Sequence, residues 1–172
     1  MTGDLQAELL ALRPRIERYI ATMVSTPATA ADLSQDSFTK ATQKLGDLRD
    51  ASRLRPWLFT IAINIVRQHL RREVNKEQQI EFDPQSVRGS VLSSIVQRES
   101  TELLAIAIER LPILLREAFA LHVVECLPFA EIADITGASV EALHVRNHRA
   151  KALLRRQIGS TVDTFWSKKT DS

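Results

Sequence analysis

The sequence contains a single cysteine, Cys126, so no disulfide can form within the chain, and a reducing compartment, the cytoplasm, is the expected setting. Glycine and proline are also scarce, at 5 and 6 in 172 residues, which leaves little turn chemistry for a sheet protein. No apolar run reaches the roughly 18 residues of a membrane span, so no direct membrane insertion is expected. The first residues, MTGDLQAELL, carry acids and no basic stretch, so no signal peptide is expected either. Phosphate-cradling glycine-rich loops are missing. His144 with His148, and His122 with Cys126, lack a third ligand and the acid of an H-E-x-x-H pair. No catalytic residue, metal or cofactor is therefore expected.

What the chain has in quantity is apolar residues, 44%, at helical spacing almost throughout. An all-α protein follows, of two small helical domains joined by a flexible linker: residues 1–73, a linker over 74–98, residues 99–159, and a tail over 160–172. Leu5, Leu9, Leu12, Ile16, Ile20 and Met23 mark a first amphipathic stretch, with Pro14 either kinking it or starting its second half. A helix from about Ala31 to Leu45 follows, with Gly46 placed to cap its end. Phe38, Ala41 and Leu45 face inward on it, while Asp32, Gln35, Asp36 and Thr39 share an outward face. A charged docking face for another protein competes there with a plain solvated surface.

The segment PWLFTIAINIVRQHLRR, 56–72, is apolar around most of its circumference. Its polar residues Thr60, Asn64, Arg67, Gln68 and Arg71 fall on one stripe, and Trp57 opens the same line. A mostly apolar helix is buried, so one polar line marks the side left open. An indole, amides and guanidinium groups in a row suit unstacked bases and phosphates, although an ordinary solvated edge has the same pattern.

Charge supports a polyanion partner. Residues 49–73 carry six Arg against Asp50 and Glu73, net +4, and residues 144–158 carry five basic residues and no acid, net +5. Between them, residues 99–143 hold eight acids against Arg110 and Arg116, net −6. Two basic segments suggest two contacts with nucleic acid.

In the second half, Leu103, Leu104, Ala107, Ile108 and Leu111 make one helix stopped by Pro112. Leu114, Leu115, Ala118, Leu121, His122 and Val124 make the next. A short helix ending at Gly137 and a longer basic one capped by Ser139 then have the form of a helix-turn-helix. Leu143, Asn147, Ala150 and Leu154 form its inward line. His144, Val145, His148 and Arg149 point outward, flanked by Arg146 and Lys151.

These segments resemble regions 2 and 4 of the extracytoplasmic-function (ECF) sigma factors of bacterial RNA polymerase. DLSQDSFTKA (32–41) is similar to D-L-x-Q-[DE]-x-F-x-x-A, and PWLFTIAINIVRQHLRR to W-L-[YF]-x-I-A-x-N-x-x-x-[DN]-x-L-R-R. ERLPILLREAFALHVVE and FAEIADITGASVEALHVRNHRAKALLR are similar to the second motif set. The resemblance implies a promoter-specific initiation factor. Asp32, Gln35, Asp36 and Thr39 would dock on the clamp coiled coil of the polymerase β′ subunit. The connection over 48–56 would hold an extruded base of the −10 element. Arg49, Ser52, Arg53, Arg55, Trp57, Thr60, Asn64, Arg67, Gln68 and Arg71 would make up the −10 contacts. Ser139, His144, Val145, Arg146, His148, Arg149 and Lys151 would read the −35 element near the β flap.

An anti-sigma factor is the further partner implied. The sequence departs from the family where its recognition helix commonly reads GTVKSRL. Here it is Glu141, Ala142, Leu143, His144, Val145, Arg146 and Asn147, and either a different −35 sequence or weak −35 binding is expected. A helix-turn-helix regulator, or a sigma-like protein that binds polymerase or DNA but initiates poorly, is the competing expectation.

Overall fold

A computed structural model of the chain describes residues 2–79 and 96–159, all helix or turn. The stretch 80–95 within the expected linker, and the expected tail from 160, lie outside the described residues.

Four helices build the N-terminal unit. α1 is Thr2–Ala11 and α2 is Arg13–Met23; Pro14 lies in the first turn of α2, where its missing N–H costs nothing, so it starts a new helix. α3, Pro27–Lys44, begins earlier than its periodicity suggests because Thr26 caps it, its hydroxyl accepting from the Thr29 N–H at 3.1 Å. Gly46 does not act as a left-handed cap. The end of α3 tightens instead into a 3-10 turn over Leu45–Asp47, which needs no positive φ. A second 3-10 turn, Ala51–Arg53, leads into α4, Leu54–Gln79, which continues into the stretch read as linker. Tyr19, Phe59, Ile16, Ile20, Met23, Leu58 and Ile63 are fully buried where α2, α3 and α4 meet, and the Tyr19 and Phe59 rings pack edge to face at 6.0 Å.

The C-terminal unit comprises α5, Val96–Glu109; α6, Ile113–Phe119; α7, Phe129–Thr136; and α8, Val140–Ile158. α6 and α7 are linked through a π-helical turn, Ala120–Val124. Two apolar residues read as part of a core face are exposed: Leu103 on α5 and Leu114 on α6. Gly137 at φ 74° ends α7, and the Ser139 hydroxyl accepts from the Ala142 N–H at 3.1 Å to start α8. A tight turn between two helices results, with Leu143, Asn147, Ala150 and Leu154 buried beneath α8.

The two units pack against each other. Ala118, Leu121, Leu127, Ile132 and Ile135 belong to the same apolar cluster as the N-terminal core. α7 lies on α4, and the π-helical turn lies on α2. No helix among the described residues is long and apolar enough to cross a membrane.

Candidate nucleic-acid interface

The polar line on α4 is real in the fold, and it is divided. Leu58, Phe59, Ala62, Ile63 and Val66 are buried, so the remaining side of the helix is where polar residues are tolerated. Asn64, Gln68 and Arg71 lie exposed along that side. Trp57, Thr60 and Arg67 are half-buried because the C-terminal unit reaches over them. The Thr60 hydroxyl donates back to the Pro56 carbonyl at 2.9 Å, and Arg67 grips Glu117 of α6 at 2.6 and 2.9 Å. The hydrogen bond to Glu117 raises the Arg67 guanidinium pKa still further.

Before α4, the connection folds over a cavity of about 340 Å³ lined by Leu48, Arg49, Asp50, Trp57 and Thr60. Asp50 shapes its rim: its carboxylate accepts from the Ser52 N–H at 3.0 Å and from the Ser52 hydroxyl at 2.7 Å, which holds its pKa below the usual carboxylate value. Ser52 is thereby committed to the turn. Asp134 and Ile135 of α7 complete the lining. Arg53 and Arg55, on the same connection, pair with Asp134 at 3.6 Å and with Glu131.

On α3, Asp32, Gln35, Asp36 and Thr39 are all exposed on one side, opposite the buried Leu33, Ser37 and Ala41. None of the four forms an ion pair with another of the described residues.

On α8, His144, Val145, His148 and Arg149 are exposed, and Arg146 and Lys151 are half-buried on their flanks. Ser139 is occupied as the helix cap. His144 is not a free side chain. Its ring lies 4.0 Å from that of Phe129, which in turn stacks on His122 at 3.9 Å. The His122 Nδ1 lies 2.9 Å from the Leu127 carbonyl, and burial lowers the His122 pKa. The inward Asn147 is buried with its Oδ1 unpaired.

Sequence reasoning missed the carboxylates. Glu117 and Glu125 are almost fully buried, at 2% and 1% exposure, and nothing in the sequence distinguishes them from the other acids of residues 99–143. Glu125 accepts from Arg15 at 3.1 Å and from Arg18 at 2.7 and 2.9 Å. The available signal was the −6 block itself, whose charge complements the arginines of the first half.

Comparison with known proteins gives two family matches in order along the chain: Sigma-70 region 2 over residues 9–75, and Sigma-70 region 4 over residues 102–154. The sigma factor CarQ of Myxococcus xanthus is 31% identical over 146 residues, spanning 85% of this chain and 84% of that protein. The ECF sigma factor BldN of Streptomyces coelicolor is 31% identical over 147 residues, spanning 82% of this chain and 55% of its own length. Among solved structures, the sigma factor RpoE of Bartonella quintana, crystallised with the anti-sigma factor NepR, superposes with a TM-score of 0.72. It is 25% identical, with 90% of this chain and 96% of that one covered.

Proposed function

The chain belongs to the ECF branch of the sigma-70 family, the promoter-directing subunits of bacterial RNA polymerase, and from that premise we propose which of its residues do the work. The exposed side of α3, with Asp32, Gln35, Asp36 and Thr39, docks on the β′ clamp coiled coil. The connection and α4 take the melted −10 strand. Arg49 and Arg53 rim the cavity that receives an extruded base, Ser52 stands beside them in the connection, and Arg55 and Arg67 meet the strand backbone. Trp57, Thr60, Asn64, Gln68 and Arg71 follow the strand along the helix. Bases out of a duplex need stacking and amide partners and phosphates need guanidinium groups, and this surface has all three.

The outward side of α8, from Ser139 to Lys151, enters the major groove at the −35 element near the β flap. The protein performs no catalytic step, needs no cofactor and acts in the cytoplasm. An anti-sigma factor holds it back until a signal arrives. The 340 Å³ cavity beside Trp57 is the observation that supports the −10 assignment, because an unstacked base needs a slot next to an aromatic ring.

Run-off transcription tests the reading, using purified core polymerase, this protein and the DNA upstream of its own gene. A discrete transcript that disappears with Asp36→Arg is expected. Core binding without any transcript would favour a sigma-like protein that initiates poorly, and would direct attention to the atypical Glu141, His144 and Asn147.

A further inference from the structure

Besides the shared apolar cluster, the C-terminal unit reaches the N-terminal unit through carboxylates, and most of these end on arginines assigned above to the promoter strand. Glu117 holds Arg67 through two parallel hydrogen bonds, at 2.6 and 2.9 Å. Glu131 holds Arg55 in the same two-pronged manner, one of its bonds measuring 2.9 Å. Asp134 faces Arg53 and, with Ile135, walls the cavity beside Trp57. A guanidinium fork meets a carboxylate and a phosphate with the same geometry, and it cannot serve both at once. Glu125 is different. It is buried between Arg15 and Arg18 on α2, which are outside the strand-binding set, so it anchors the two units without touching that surface.

Building on the function assigned above, we propose that region 4 is an intramolecular competitor for the promoter strand: Glu117 and Glu131 occupy Arg67 and Arg55 in place of phosphates, and α7 closes the base cavity. The strand engages α4 only after the two units part. The recognition side of α8 is exposed in this closed form, so the block falls on strand binding and not on duplex reading. Opening is chemically reversible, because Glu117 and Glu125 pass into water when their partners leave and are not stranded in an apolar core.

The test uses the full chain and a short fluorescein-labelled oligothymidine, with small-angle scattering on the same samples. Glu117→Gln with Glu131→Gln keeps the side-chain volumes and removes the charges. If the closed form holds about nine molecules in ten, opening raises the apparent affinity for the strand about tenfold. The double variant is expected to expand and to show that gain, and adding Arg67→Ala should remove much of it. Glu125→Gln should also expand the chain and tighten binding, although it frees no strand-binding arginine directly. That result separates opening from simple loss of negative charge, as does an unchanged affinity for Glu102→Gln, an exposed acid outside these pairs.

A helical double variant that neither expands nor binds more tightly overturns the proposal. Expansion without tighter binding overturns the competition; if Arg67→Ala then has no effect either, the strand-binding reading of α4 has failed with it. Should the double variant lose its helix content, Glu131→Gln alone leaves both buried carboxylates paired. It is expected to give a smaller gain, and no gain overturns the proposal.

Discussion

Glu125 accepts hydrogen bonds from Arg18 at 2.7 and 2.9 Å across 107 residues of chain, and the pair fixes one half of the molecule on the other. The side chain of Glu125 is fully shielded from water, while that of Arg18 is about half exposed. The hydrogen bond to Glu125 raises the Arg18 pKa.

Replacing Glu125 with Ala leaves Arg15 and Arg18 without their shared acceptor. Breaking a wholly buried pair costs ~3–5 kcal/mol, and the exposure of Arg18 reduces this to about 2 kcal/mol. Urea denaturation monitored by circular dichroism measures it. A loss below about 0.5 kcal/mol, the usual range for a surface substitution, would show that the pair does not hold the units together.

Cys126, next in the chain, has φ 55°, a left-handed conformation that costs a non-glycine residue about 1 kcal/mol. Cys126→Gly is expected to remove that strain and raise the melting temperature by about 3 °C. Calorimetry checks it. An unchanged or lower melting temperature would mean that the turn around Glu125 is not strained.

His122 makes stability depend on pH. Burial lowers its pKa, with Lys151 and His144 adding to the effect and the bond to the Leu127 carbonyl opposing it. An unfolded imidazole titrates near about 6.5, so below that pH the unfolded chain binds the proton more readily than the folded one. The stability contributed by neutral His122 is therefore whole above about pH 6.5 and is lost as pH falls through the lowered folded value. Denaturation midpoints measured from pH 7 downwards should drop in the parent and stay flatter in His122→Gln over the same interval. Parallel curves would dismiss the ring as their source.

Asn64 is exposed on the side of α4 proposed to take the strand. Asn64→Ala is expected to slow promoter opening about tenfold, the worth of one good amide–base contact, with core binding unchanged. Permanganate footprinting beside a core-binding assay separates the two, and an equal loss in both would remove the residue from the proposed strand path.

His144 stands where the family commonly has a basic residue, and the Phe129 ring holds it against α7. His144→Arg is expected to tighten binding to −35 duplex about tenfold, the scale of one charged base contact. Fluorescence anisotropy on the protein's own upstream duplex measures it. No gain would place the imidazole outside the groove.

Much of this molecule was legible in the order of its residues. The 3.6-residue rhythm of α4, the Ser139 cap and the Gly137 turn each depend on near neighbours, and each formed as its local chemistry dictates. The inward line Leu143, Asn147, Ala150 and Leu154 is buried as its spacing required. What periodicity does not encode is which distant surface a charged residue meets. Glu117 has the sequence character of a solvated helix residue, and only the approach of Arg67 from another helix makes its burial tolerable. The π-helical turn before Glu125, which packs against α2, was equally hidden, since no residue preference announces it. Leu103 and Leu114 show the reverse: an apolar residue at helical spacing is still exposed where no neighbour arrives.

The shared apolar cluster has a consequence for the lifetime of the protein in a cell. Leu121, Leu127, Ile132 and Ile135 share one apolar cluster with the N-terminal core, so a parted molecule would present fresh oily surface to whatever is nearby. With polymerase at hand, that surface gains a large neighbour. With none, the same residues invite chaperones, proteases and self-association, and the folded-together form becomes the one that survives storage. Under the proposed competition, the number of molecules awaiting a signal is set by how tightly a few glutamates keep their arginines.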